Sequence, residues 1–219
     1  MFKNKIYWLL LLLVAVFIGA YFLNNKANKP IRTLPYFEPK SNVKDTTKKH
    51  HTIPSFGFIN QYNQRVSEKT VSNKVYVCDF FFTTCHSICP IMSNQLERVY
   101  KQFKSRNDFL ILSHTVNPET DSVPQLKEYA QKHGVTDMHW LFLTGDKKHL
   151  YELARKGYLL NAEEGDGGED DFIHTQNFAL IDKERCIRGY YDGTDSAEVT
   201  RLIKDINLLF EEYAYKEKN

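Results

Sequence analysis

The chain predicts an α/β fold, a mixed sheet flanked by helices on both faces, and three observations point to it. The runs VYVCDFFF and FLILSHTV are continuously apolar, as strands covered on both faces are. Between such runs stand segments with helical periodicity. The order strand, helix, strand, helix, strand, then a hairpin and a last helix is that of a sheet wrapped by helices.

Taken in order, PSFGFINQYNQRVS reads as two short strands around a polar turn, and VYVCDFFF as the first buried strand. Met92, Leu96, Val99 and Phe103 fall at i, i+4, i+7 and i+11, one face of a helix. FLILSHTV is the next buried strand. VPQLKEYAQKHG is a helix that stops at Gly134, HWLFLTG a strand, and KKHLYELARKG a further helix. NAEEGDGGEDD is a Gly-rich acidic loop, and TQNFALID with RCIRGYYDG a hairpin turning at Asp182 to Glu184. Val199, Leu202, Ile203, Ile206, Leu209, Phe210 and Tyr213 keep the helical period to the end. Asp195 and Glu198 ahead of them resemble a capping box.

Before this domain, Ile6 to Leu23 carries no charge over eighteen residues, the lower end of what spans a bilayer as a helix. The run ends in GAYFLNN, without the small-residue site of a cleaved signal peptide. It therefore reads as an uncleaved transmembrane anchor over 6–23, with a cleaved signal as the alternative, a cytoplasmic tail at 1–5 and the bulk of the chain on the extracytoplasmic side. Residues 24–52 form a basic linker with three prolines, and 53–219 the folded domain. From 24 to 50 there are seven Lys and Arg against Glu38 and Asp45, whereas 51–219 holds 20 basic and 25 acidic residues. A slightly acidic domain of this kind is a poor nucleic-acid binder, and a monomer with transient partners fits it better.

The chemistry concentrates in TCHSICP, where the first buried strand hands over to the first helix. In open α/β sheets, sites are built at that end of a strand. Pro90 suits the first helical position, which predicts Cys89 at the N-cap and Cys85 in the loop before it. Both sulfurs would then feel the positive end of the helix, which favours thiolate. A static staple is the plain alternative, but so short a loop yields little entropic stabilisation. Thiolates attack disulfides, and they bind soft metals such as copper(I) or zinc. The residues alone leave redox pair and metal site open.

Two ligands are too few for a metal site, so a third group has to come from elsewhere in the chain. Of the eight histidines, His50 and His51 read as solvated linker residues, His133 and His149 as helix-surface residues, His114 and His139 as strand-flanking and ambiguous. His174 stands apart, between the acidic loop and the strand TQNFALID. Cys78, inside a strand, and Cys186, in the hairpin, read as core positions. A bridge between them would need Cα atoms within about 7 Å.

TTCHSICPIM, with HTQNFALID downstream, resembles the Sco/SenC family of membrane-anchored copper proteins. The likeness extends through IPSFGFINQYNQ, VYVCDFFFT, NPETDSVPQLKEYA, WLFLTG and YYDGT, covering most of residues 53–210. It implies a thioredoxin-like fold with an N-terminal hairpin and a hairpin insertion. It also implies that Cys85 and Cys89 form a redox pair able to close a disulfide, and that Cys85, Cys89 and His174 bind a copper ion. The implied role is assembly of the dinuclear copper site of cytochrome c oxidase subunit II, by donating copper or by reducing the target cysteines. A metal-independent thiol-disulfide oxidoreductase, or a thiol peroxidase, is the alternative. Two positions depart from the family pattern. His86 and Ser87 replace its Pro-Asp, and the D-P-x-R-D segment reads Asn117, Pro118, Glu119, Thr120, Asp121, which leaves the role of that segment open.

Overall fold

A computed structural model describes residues 7–8, 12–19, 32–39, 50–160, 173 and 175–218. The compact unit that carries the sheet runs from Thr33 to Phe210. Residues 7–8 and 12–19 are helical. Among the described residues no helix is long and apolar enough to cross a membrane, and the run 6–23 lies partly outside them.

The hairpin β1 (Gly57–Asn60) and β2 (Arg65–Ser67) forms as expected, its turn closed by Asn63 at φ 58°, a conformation that asparagine tolerates. β3 (Val75–Phe81), β4 (Phe109–Thr115) and β5 (Trp140–Thr144) are parallel neighbours, Cys78 standing opposite Leu112 and Leu112 opposite Leu141. β6 (Asn177–Ile181) and β7 (Ile187–Asp192) are the second hairpin, and β6 runs antiparallel to β3. The seven strands lie in the order β2-β1-β5-β4-β3-β6-β7. Every residue of β3 and β4 is buried, which is why neither strand alternates.

The helices are α1 (Ile88–Phe103), α2 (Val123–Lys132), α3 (Lys147–Glu152) and α4 (Ser196–Lys216). α1 buries Met92, Leu96, Val99 and Phe103, the stripe its spacing predicts, and Cys89 in its first turn. Each of those four apolar side chains contributes about 1.5–3 kcal/mol on leaving water. α2 ends at Lys132 with His133 as its C-cap, and Gly134 takes φ 68° just beyond it, as a helix-stopping glycine does. The predicted helix KKHLYELARKG is α3 followed by one π turn, Leu153–Gly157, in which Tyr158 N–H reaches back to Leu153 O at 2.8 Å. The wider turn lets Tyr158 enter the core fully buried. Of the capping box only half forms. Asp195 accepts from Ala197 N–H at 2.7 Å, while Glu198 turns to Arg201 at 2.5 Å. The acidic stretch NAEEGDGGEDD lies outside the described residues.

The segment before β1 behaves unlike a solvated spacer where it is described. Phe37 N–H donates to Ile187 O at 3.0 Å, and the buried Arg188 donates to Leu34 O at 2.7 Å and Pro35 O at 3.1 Å. Arg188 also pairs with Asp182 at 3.1 Å, both all but inaccessible. His50, stacked on Tyr36 at 3.7 Å, bonds Glu38 at 2.8 Å, and His51 Nε2–H donates to Gly157 O at 2.7 Å. His50 is exposed, as expected, and its contacts stay within the linker, whereas the half-buried His51 ties the linker to Gly157.

Cys78 and Cys186 are buried free thiols, the core positions the sequence suggests. His114, ambiguous in sequence, is an interior residue of β4. Its ring stacks on Phe80 at 5.0 Å and meets Phe58 and Tyr158 edge-on at 5.7 and 5.5 Å. Neither of its nitrogens has a hydrogen-bond partner among the described residues. Burial pushes its pKa down to about 3, so it is neutral at ordinary pH.

Candidate metal and redox centre

β3 ends at Phe81, and the chain turns at once. Cys85 N–H donates to Phe82 O at 3.2 Å, closing a four-residue turn that brings Cys85 back toward the next helix. That helix begins earlier than its proline suggests. Ser87 is its N-cap, so Cys89 sits inside the first turn and Pro90 one residue further in. The first backbone N–H groups of a helix have no intrahelical acceptor, so proline is tolerated there as well as at the first position.

Ser87 offers α1 no side-chain cap. The sulfur of Cys85 takes that place: Cys89 N–H donates to Cys85 Sγ at 3.4 Å, and Ser87 Oγ lies 3.6 Å from the same sulfur. Both thiols are buried in residue terms, Cys85 at 8% exposure and Cys89 at 3%. Two sulfurs are thus held at one helix terminus, one of them capping it.

Their protonation differs. Burial pushes the Cys85 thiol up, but hydrogen bonds from the Cys89 thiol, from the Cys89 and Ser87 backbone and from the Ser87 hydroxyl outweigh it and bring it down to about 7. Burial pushes Cys89 up, and its donation to Cys85 and the nearby Asp79 carboxyl push it further, to about 12. The expectation that both would favour thiolate holds for Cys85 only. One sulfur collects the donors at the helix end, and the deeper one is left protonated.

On the α1 side of the sheet lies a buried polar relay. Trp140 Nε1–H donates to Ser113 Oγ at 2.8 Å, and the Ser113 hydroxyl donates to Asp79 Oδ1 at 2.5 Å. Asp79 is 1% exposed, and burial raises its pKa to about 7. Sequence reading passed over this carboxyl because a single Asp in an apolar run gives no sign of its partners.

His174 lies outside the described residues, although Ile173 beside it is buried in the core. Among the described residues no group of three or more His, Cys, Asp or Glu side chains is placed to hold a metal. The chemistry of the two that are together suits a soft ion. Paired thiols, one of them half ionised near neutrality, match copper(I) and zinc in ligand softness. His86 is exposed, and Ser87, not His86, touches the Cys85 sulfur.

The arrangement has relatives. A protein named SCO1 protein homolog of Bacillus subtilis (strain 168) is 31% identical over 159 residues, 72% of this chain and 82% of that one. The structure of BsSco, described as a cytochrome c oxidase assembly protein with a disulfide switch, is 30% identical. It covers 72% of this chain and 92% of its own, with a TM-score of 0.61. Arabidopsis thaliana ScoI, solved with copper bound, shares the fold at 24% identity and TM-score 0.56, over 71% of this chain and 98% of that one. The sheet and helices described above are therefore the Sco version of the thioredoxin-like fold. A sequence model of the SCO1/SenC family matches residues 44–210, from the linker through the cysteine loop to the last helix, and the chain belongs to that family.

Proposed function

We propose that this chain is a copper-binding assembly factor. It holds copper(I) between the thiolates of Cys85 and Cys89 and the imidazole of His174, and passes it to the dinuclear copper site of cytochrome c oxidase subunit II. The observation that carries this reading is the pairing of both sulfurs at the N-terminus of α1, with Cys89 N–H on Cys85 Sγ at 3.4 Å. Two thiols so placed can chelate one ion without rebuilding the loop. Copper(I) binding releases the protons of both thiols, Cys89 contributing one at neutral pH and Cys85 a partial one. His174 is assigned by family likeness and by its place just after Ile173. Anaerobic copper(I) titration against a chromophoric chelator tests the assignment. One ion per chain is expected, with binding lost in Cys85→Ser and sharply weakened in His174→Ala. Unchanged affinity in His174→Ala would sink the three-ligand site.

A second reading, favoured by the unequal thiols, is reduction of a partner's disulfide. Cys85 thiolate attacks one partner sulfur, the other leaves as thiolate, and Cys89 then displaces the first, closing Cys85–Cys89 while the partner gains two electrons. The two roles exclude each other at any instant, since the closed bridge has no thiolate for copper. A reductase without metal would need both cysteines and be indifferent to His174→Ala. We further assign 6–23 as the membrane anchor, from its eighteen uncharged residues, with a monomeric domain on the extracytoplasmic side. Extraction of the protein by alkaline carbonate would refute the anchor, and a dimer in light scattering the monomer.

A further inference from the structure

The segment Asn117–Asp121, which departs from the family pattern in sequence, is tied to the cysteine loop. Asp121 is wholly buried. Its carboxylate accepts from the Thr83 backbone N–H at 3.2 Å to each oxygen, from Thr83 Oγ1–H at 2.5 Å and from Thr115 Oγ1–H. Thr115 Oγ1 in turn accepts from Asn117 N–H at 2.9 Å, and Asp121 N–H returns to Asn117 O at 2.9 Å. Val116 N–H reaches Phe81 O at 2.8 Å. One carboxylate thus joins the end of β4, the turn before α2 and the loop leaving β3.

Thr83 lies inside the turn that Cys85 N–H closes onto Phe82 O. Its peptide is past the last residue of β3, so the sheet supplies it no acceptor, and Asp121 does. The two carboxylate oxygens have room for all these donors at once. An amide in its place would turn two N–H donors toward the same groups.

We propose that Asp121 is the positioning residue of the cysteine pair. By fixing Thr83 it sets where Cys85 Sγ stands against Cys89, and so both how tightly the pair takes a soft ion and how readily it closes into a disulfide. The inference deepens the function proposed above and rests on that reading where copper is concerned.

The test uses the full chain, wild type against Asp121→Ala, Thr83→Val and Thr83→Ser. One measurement is copper(I) affinity by competition with a chelator. The other is the Cys85–Cys89 potential in metal-free protein equilibrated with reduced and oxidised dithiothreitol, which exchanges two electrons and two protons with the pair. Losing a group hydrogen-bonded directly to a ligand costs about 10–100-fold in metal affinity; Asp121 acts through Thr83, so a loss at the low end, about tenfold, is expected in Asp121→Ala. If the looser loop lowers the effective concentration of one thiol at the other tenfold, the potential becomes about 30 mV more oxidising. Thr83→Val should fall between, and Thr83→Ser, which keeps the hydroxyl, should restore both values. A purely structural Asp121 would lower stability and leave affinity and potential unmoved, which overturns the proposal. If Asp121→Ala does not fold, the contrast between Val and Ser at position 83 decides. If wild type takes no copper(I), the copper reading falls, while the potential still tests the positioning.

Discussion

Cys85 Sγ is the acceptor for the backbone N–H of Cys89 at 3.4 Å, so a reactive sulfur does for α1 what a serine or aspartate side chain usually does. The thiol that caps the helix is the thiol that ionises, and its partner remains protonated. Iodoacetamide at pH 8 should therefore modify Cys85 and spare Cys89. The rate against pH should follow a single ionisation near 7, the value its hydrogen bonds give Cys85. Mass spectrometry that found both sites labelled alike would contradict the asymmetry.

Ser87 contributes one of the donors that hold Cys85 down. Ser87→Ala should move the alkylation curve to higher pH, since the thiolate loses a partner. His86→Ala should leave it in place, because the exposed His86 has no share in those hydrogen bonds. A curve displaced by His86→Ala and not by Ser87→Ala would show that the wrong neighbour has been credited.

Two buried groups make the stability of the domain depend on pH in opposite senses. His114 titrates near 3 in the fold against an ordinary 6.5. Between those values the unfolded chain holds more protons, and stability drops as pH falls through 6.5. Asp79 titrates near 7 in the fold against 3.8. There the folded chain holds more protons, and stability drops as pH rises from 3.8 to 7. Each contributes a slope of about 1.4 kcal/mol per pH unit inside its window, and from pH 4 to 6.5 they oppose. Urea denaturation of His114→Phe should show stability increasing toward pH 4, and Asp79→Asn stability decreasing. Parallel slopes in the two variants would exclude the pair as the cause.

Arg188 is buried with Asp182 and also holds two carbonyls of the preceding segment. Arg188→Met leaves Asp182 without its cation, and breaking such a pair costs about 3–5 kcal/mol. The same variant should make residues 34–39 accessible to limited proteolysis. Replacing Asp182 by Asn as well, which removes the charge but keeps an oxygen for Glu184 N–H and Cys186 N–H, should recover part of the stability without restoring protection, because no donor returns to Leu34 O and Pro35 O.

Much of this was legible in the sequence, for identifiable reasons. Strands β3 and β4 announce themselves because burial on both faces removes alternation, and α1 because Met92, Leu96, Val99 and Phe103 repeat at helical spacing. The cysteine pair is local, so its place at a strand end could be read directly. What escaped depends on distance or on depth. Asp121 serves Thr83 across 38 positions, and no spacing rule links them. The start of α1 was misplaced because proline is equally free at several positions of a first turn. The split between Cys85 and Cys89 follows from which sulfur gathers the N–H donors, and composition carries no trace of that.

The chain has two tryptophans, one of which ends the relay from Ser113 to Asp79. Trp8 is 73% exposed, whereas Trp140 is wholly buried. Trp8→Phe would remove the emission of the first and leave the second. What remains is an indole whose N–H shares one hydroxyl with the Asp79 carboxyl, so its wavelength follows whether that carboxyl holds a proton. The molecule carries an optical gauge on the charge at the centre of its sheet, and it can be read without a label.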